Sequence, residues 1–254
     1  MPFDTAFHAD IPEAAALYPI PWEWTQRFGL RRFGFHGLSV QYAVRRSREL
    51  LGVLPRRLVV CHLGAGCSVT AVLEGRSVDT SMGFTPLEGL MMARRSGSVD
   101  PGLLLYLLRH GDMELADLDR GLNEDSGLLG VSGAYSDWRA LNNSASAGND
   151  RAQLAKAMFM HRLVAAVGGM VATLGGLDAL VFTGGIGEHS PDVSRAVAAG
   201  LEFAGVQLAS APTTPEGDRD VSTAHSAVRV LVVAAREDLS VLAEVRRLVL
   251  HQGD

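Results

Sequence analysis

Apolar residues along the chain fall into two kinds of pattern. Between Arg57 and Ser81 they form short β-branched runs split by glycine. These are Arg57-Leu-Val-Val-Cys-His62, a turn at Leu63-Gly-Ala-Gly66, Ser68 to Leu73, a turn at Glu74-Gly-Arg76, and Ser77 to Ser81. Two tight glycine turns joining such runs predict an antiparallel meander of three strands. Helical patterns are read at Leu38 to Leu51, Pro86 to Met92, Pro101 to Leu108, Arg151 to Leu174 and Asp238 to Leu250. Pro101 suits a first helical turn, where an amide hydrogen is not needed. Ala179 to Thr183 and Val228 to Ala234 read as strands. Gly184-Gly-Ile-Gly187 reads as a turn, before a helix opened by Ser190 as N-cap, Pro191 and the early acid Asp192. Residues 1–25, rich in proline and tryptophan, predict irregular connection with short helical turns, and residues 111–150 a polar, loop-rich stretch. Strands mixed with helices, the first strands antiparallel, predict an α/β layered domain.

Composition narrows this picture. The 254 residues can bury a sizeable core, and 47% apolar with 20% charged residues is the balance of an ordered globular chain. A net charge of -5 without a basic stripe argues against a nucleic-acid partner. Lys156 is the lone lysine, so cationic chemistry falls to arginine. Cys61 and Cys67 flank a glycine turn and suit a reduced, cytoplasmic protein better than a disulfide scaffold. The first residues lack the basic-then-apolar order of a signal peptide. The apolar stretch from Leu163 to Leu174, interrupted by glycines, is expected to be a buried core helix and not a membrane span.

Six segments hold residues suited to chemistry, each with an ordinary structural alternative. The hairpin His62-Leu-Gly64-Ala-Gly66 can bring backbone amides close to an anion, or simply turn the chain. Thr183-Gly184-Gly185-Ile-Gly187-Glu188 joins a strand to a helix, where phosphate or nucleoside is often held, or is a tight connection. Arg94-Arg95-Ser-Gly97 offers a guanidinium fork to a phosphoryl group, or a solvated arginine pair. His36, between Gly34-Phe35 and Gly37, can donate to a transferring phosphoryl, or be a structural imidazole. Asp137-Trp138-Arg139 can hold a ribose and stack on a base, or cap a helix. Glu237-Asp238, after the last strand, can hold Mg²⁺ or begin a helix.

In order and wording these segments resemble the acetate and propionate kinase family. The resemblance lies in Phe3-Asp-Thr-Ala-Phe-His8, Arg32-Phe-Gly-Phe-His-Gly37, His62-Leu-Gly-Ala-Gly66, Ser77-Val-Asp-Thr-Ser-Met-Gly83, Thr85-Pro-Leu-Glu-Gly89, Arg95-Ser-Gly97, Ser126-Gly-Leu-Leu-Gly130 and Phe182-Thr-Gly-Gly-Ile-Gly-Glu188. It implies a ribonuclease-H-like lobe of the actin-like and sugar-kinase architecture, ATP and Mg²⁺ as cofactors, and transfer of phosphoryl to acetate. Propionate is the alternative acceptor. It also implies catalytic roles for Asp4, His36 and Arg95. Nucleotide contacts fall to His62, Gly64, Gly66, Asp137, Trp138, Arg139, Gly184, Gly185, Gly187 and Glu188, and a magnesium-linked acid to Glu237. The sequence departs from the family at Ala65 and at His189, both usually asparagine, and at Ala234-Ala-Arg-Glu-Asp238. Family members carry a further lobe ahead of Phe3, which implies that this chain is mainly the carboxyl-terminal lobe. Residues 1–236 would form that lobe. Residues 237–254 would be a terminal helix, its face of Leu239, Leu242, Val245 and Leu248 or Val249 left exposed. The expected partners are ATP or ADP, a short carboxylate, a second copy in a homodimer and a separate amino-terminal lobe. A cleft with one wall positions substrates poorly, so a non-catalytic nucleotide-binding or dimerisation fragment stands as the alternative.

Overall fold

The computed structural model describes residues 4–210 and 217–250, without the side chains of 244 and 247–250. Phe3, Leu248 and Val249 of the preceding expectations therefore lie outside the described side chains. The chain begins with a 3₁₀ turn at Ala6–His8, then α1 (Glu13–Ala16), α2 (Trp22–Phe28) and α3 (Gly37–Leu51). The meander follows as β1 (Arg57–Leu63), β2 (Cys67–Leu73) and β3 (Arg76–Thr80). Helices α4 (Pro101–His110), α5 (Leu115–Asn123), α6 (Gly127–Ser132), α7 (Trp138–Ser146) and α8 (Asp150–Leu174) lead to β4 (Ala179–Thr183). Then come α9 (Gly184–His189), α10 (Pro191–Gly200), β5 (Arg219–Asp220), β6 (Arg229–Val232) and α11 (Glu237–Leu250).

The strands form one sheet in the order β3-β2-β1-β4-β6-β5. The meander is antiparallel, β1 pairs β4 in parallel, and β4 pairs β6 in parallel. This is the ribonuclease-H-like topology that the motifs imply. Strand β1 lies inside the sheet with core on both faces, so its apolar run is nearly continuous. Val59, Cys61 and Leu63 join the core under α7, α8 and α10, with Trp138, Phe159, Leu163 and Val197. Leu58 and Val60 face the other way, against Val40, Ala43 and Val44 of α3. Both cysteines are free and buried, and burial pushes both thiols up, Cys67 to about 12.

Several expectations need correction. Residues 86–92 form no helix: Gly89 sits at φ 108, and a Cβ there would meet Ser81 O at 2.6 Å. Residues 111–150 hold three helices whose apolar faces are narrow; α7 is capped by the Asp137 carboxylate accepting from the Ala140 amide at 2.9 Å. The glycines after β4 are themselves helical, as α9. Ser190 makes no side-chain cap bond; Ser194 Oγ donates to the Pro191 carbonyl instead. The last strand is limited to Arg229–Val232, and β5 beside it was not foreseen. Helix α8 packs by one face only; Leu154 on its outer side is 54% exposed. Among the described residues α8 is the helix long and apolar enough to cross a membrane by length and composition, with a third of its most apolar window buried. Leu239 packs against the α3-side core, while Leu242 and Val245 are exposed.

Candidate functional site

His36 enters the site from the start of α3. Its backbone lies in the left-handed region at φ 59, an uncommon conformation for a side-chain-bearing residue. Asp4 secures it: the His36 amide donates to Asp4 Oδ2 at 3.1 Å, and the Gly37 amide donates to Asp4 O at 2.8 Å. A Cβ at Gly37 would meet that carbonyl at 2.5 Å, so glycine is required there. The His36 ring is fixed by a 3.0 Å hydrogen bond between Nδ1 and Ser68 Oγ. When the hydroxyl donates, the proton sits on Nε2. That nitrogen looks toward Gly66, where an added methyl would stand 3.2 Å from it and 3.7 Å from an Arg95 guanidinium nitrogen. Arg95 Nη1 donates to the Pro86 carbonyl at 2.7 Å.

Ser68 is the cross-strand partner of His62, so the two share a face of the sheet. The rings of His36 and His62 are 4.2 Å apart. Burial, then the positive charge of Arg95, then His8, push the His36 imidazole down to about 4. Burial and then His36 push His62 to about 4 as well, against the upward pull of the Glu237 and Asp4 carboxylates. Both rings are therefore neutral at pH 7, which makes His36 a hydrogen-bond donor, with Arg95 as the fixed cation. Among the described residues His62 Nδ1 has no hydrogen-bond partner.

A cleft of about 250 Å³ opens beside this group. The hairpin tip supplies Gly64 and Ala65, the start of α7 supplies Ser136 to Arg139, and Gly185, Ile186 and Ser190 close the far side. A Cβ at Gly64 would be 4.0 Å from the Gly185 amide nitrogen, so the two glycine segments face each other across the opening. Trp138 is mostly core, with its ring centroid 4.8 Å from that of Phe159, yet its edge lines the cleft. Its buried Nε1 has no partner among the described residues. The indole is thus held by the core while it also lines the cleft.

The remaining candidates stand behind the cleft. Gly184, at φ 79, packs on β1, where a Cβ would meet Leu63 O at 2.7 Å. Gly187 lies against the Phe182 backbone. The Glu188 carboxylate accepts from the Ala235 amide at 3.0 Å, tying α9 to the segment after β6. His189 Nδ1 is 3.2 Å from the Gly185 carbonyl. Glu237 begins α11, where Oε1 accepts from Ser39 Oγ at 2.5 Å. No group of three or more His, Cys, Asp or Glu forms a metal cage among the described residues. Mg²⁺ in phosphoryl-transfer sites takes one or two carboxylates with phosphate oxygens and water, so a single exposed Glu237 near His62 fits that ion. Ser68, Ser39 and the Pro86 carbonyl went unnoticed in the sequence; only Ser68, opposite His62 in the meander, left a signal there.

Residues 1–243 match the model of the acetokinase family. The chain belongs to that family. The acetate kinase of Nostoc punctiforme is 52% identical over 242 residues, which is 94% of this chain and 60% of that protein. The acetate kinase of a Cyanothece species is 49% identical over 250 residues, 97% of this chain and 61% of that protein. A crystal structure of Porphyromonas gingivalis acetate kinase superposes with a TM-score of 0.93 at 37% identity, covering 97% of this chain and 63% of that one. A propionate kinase from Francisella tularensis gives 0.87 at 36% identity, covering 93% and 61%. The chain thus spans about 60% of the length of the curated relatives it matches. Its fold is that of the actin-like ATPase superfamily.

Proposed function

We propose that this acetokinase-family chain forms the nucleotide-binding wall of a cytoplasmic acetate kinase, which transfers phosphoryl from ATP to acetate to give acetyl phosphate and ADP. The observation that supports it most is the convergence of Arg95 and His36 Nε2 on Gly66, next to a cleft lined by Gly64, Asp137 and Gly185. Glycine at these points lets phosphate oxygens approach the backbone. In the proposed reaction an acetate oxygen bonds to the γ-phosphorus as the bond to the β-phosphate oxygen breaks, so no proton need be removed. Arg95 and the neutral His36 would donate to the equatorial oxygens as charge builds. Asp4, through its bond to the His36 amide, would hold that imidazole in place. Glu237 would hold Mg²⁺, which supplies charge neutralisation on the phosphates when bound.

Residues 1–236 would serve as this lobe, with the segment from 237 meeting a further lobe through exposed Leu242 and Val245. That lobe would supply the opposing wall, from the same or a separate chain. A homodimer is supported by α4, which buries none of its residues and exposes Leu103, Leu105, Tyr106 and Leu108. A non-catalytic nucleotide-binding or dimerisation role would share these features without turnover, and propionate is the other acceptor. Calorimetry with Mg²⁺–ATP at millimolar concentration tests the wall itself: absence of uptake ends the proposal. A hydroxamate assay with ATP, Mg²⁺ and acetate or propionate then separates the kinase from the binding fragment.

A further inference from the structure

Arg95 lies on an irregular loop, and the guanidinium contact that aims it is to a backbone carbonyl, that of Pro86. That carbonyl lies in the segment from Gly83 to Glu88, which has no helix or strand of its own. Something else must hold it. Arg32 lies four residues before His36. Its Nη1 donates to the carbonyls of Thr80, Ser81 and Met82 at 3.0, 3.2 and 3.1 Å, and its Nη2 donates to Glu88 Oε1 at 2.8 Å. Glu88 Oε2 accepts from the Tyr18 hydroxyl at 2.5 Å, and that oxygen accepts from the Phe84 amide at 2.8 Å. Both ends of the segment are thus clamped, with Pro86 between them. The fit is tight, because a Cβ at Gly83 would fall 1.7 Å from Glu88 Oε2 and 2.2 Å from the Tyr18 oxygen. The amides of Phe33 and Gly34 donate to Gly83 O, which joins the segment leading into His36 to the same clamp.

We propose that Glu88, clamped by Arg32 and Tyr18, is a positioning residue that sets the Pro86 carbonyl and through it holds Arg95 against His36. This rests on the reading of Arg95 and His36 as phosphoryl-facing groups, but its test needs no nucleotide. The clamp is built from an ion pair whose side chains are 16% and 32% exposed, so water competes weakly for it. One methylene of misplacement at a guanidinium is enough to lose a phosphoryl contact.

The test is an NMR titration of the His36 imidazole on the whole chain, the resonance assigned by its loss in His36→Gln. In the unaltered chain burial, and then the charge of Arg95 beside it, push it down to about 4. Glu88→Ala should raise that value by the part Arg95 contributes, burial still holding it below the ordinary 6.5; Arg95→Gln should do the same, and the double variant should rise no further than Arg95→Gln alone. The sign is diagnostic, because deleting the carboxylate charge by itself would lower the imidazole pKa. Glu88→Gln keeps the shape and one acceptor for Arg32 but turns the other oxygen into an amide donor facing the Tyr18 hydroxyl, so it should shift His36 less than Glu88→Ala does. Should Glu88→Ala fail to fold, Tyr18→Phe reads the same clamp from its other arm and should shift His36 upward. An unchanged titration in whichever of these two variants folds, or a rise that adds to that of Arg95→Gln, overturns the proposal. Failure of ATP to bind would defeat the functional reading and leave this measurement standing.

Discussion

The imidazoles of His36 and His62 are stacked 4.2 Å apart at a 36° tilt, each pushed by burial to a pKa of about 4. In the unfolded chain both return to about 6.5, so between these values the unfolded state binds more protons. The stability they contribute is complete above pH 6.5, falls as the pH drops through this window, and levels off below 4. For each ring the change is about 3 kcal/mol at most, and for the pair it stays below twice that because they titrate together. Urea unfolding at pH 7, 6 and 5 should show a falling midpoint, and His62→Asn should flatten the fall. A midpoint that holds or rises toward pH 5 would contradict the buried neutral pair.

Arg95→Ala should leave the fold intact, since the side chain lies on a loop and is half-buried. In an assembled enzyme with measurable turnover, the loss should be about 10²–10³ in kcat, the usual cost of one donor to the developing charge. Full turnover in this variant would remove Arg95 from the reaction.

Trp138 offers a direct view of the cleft. Trp22 and Trp24 are 62% and 52% exposed, whereas Trp138 is buried with one edge in the opening. Nucleotide entering between Gly64 and Gly185 should alter the emission of Trp138 and leave that of the others unchanged. Trp138→Phe should abolish the response while the fold survives; Trp138→Ala should cost about 3–5 kcal/mol of stability through the cavity beside Phe159. An ATP response undiminished in Trp138→Phe would place the nucleotide elsewhere.

The meander and the β4 strand were legible in the sequence because β-branched runs closed by glycine admit few other structures. Helices α5 and α7 were not, since each is short and buries few side chains among polar neighbours, three in α7 (Trp138, Leu141 and Ala145) and one in α5. Leu118 is the buried residue of α5. At the site, His36, His62 and Arg95 could be named because side chains announce their chemistry, and Asp4 through the family resemblance. The Pro86 carbonyl could not: a backbone acceptor leaves no mark in residue type. Its role appears only once Glu88, Arg32 and Tyr18 are seen to converge on the same loop.

Lys156, the lone lysine, is spent on structure. From α8 its ammonium meets Asp192 Oδ2 at 2.9 Å and also the Asn142 side-chain oxygen, joining α8 to α10 and α7. Lysine and aspartate are each 29% exposed, so desolvation offsets part of their attraction. Asp192 also lies in the first turn of α10, where the helix dipole favours its charge. Lys156→Met should therefore cost only about 1–2 kcal/mol, chiefly by leaving a half-buried carboxylate without its partner. Lys156→Met with Asp192→Leu should recover most of that loss, because the apolar pair replaces the ionic one at little cost. Urea midpoints for the two single variants and the double variant give the coupling energy directly. If the double variant loses the sum of the single losses, the contact contributes nothing and α10 is held by its buried apolar residues, Val193, Val197 and Ala198.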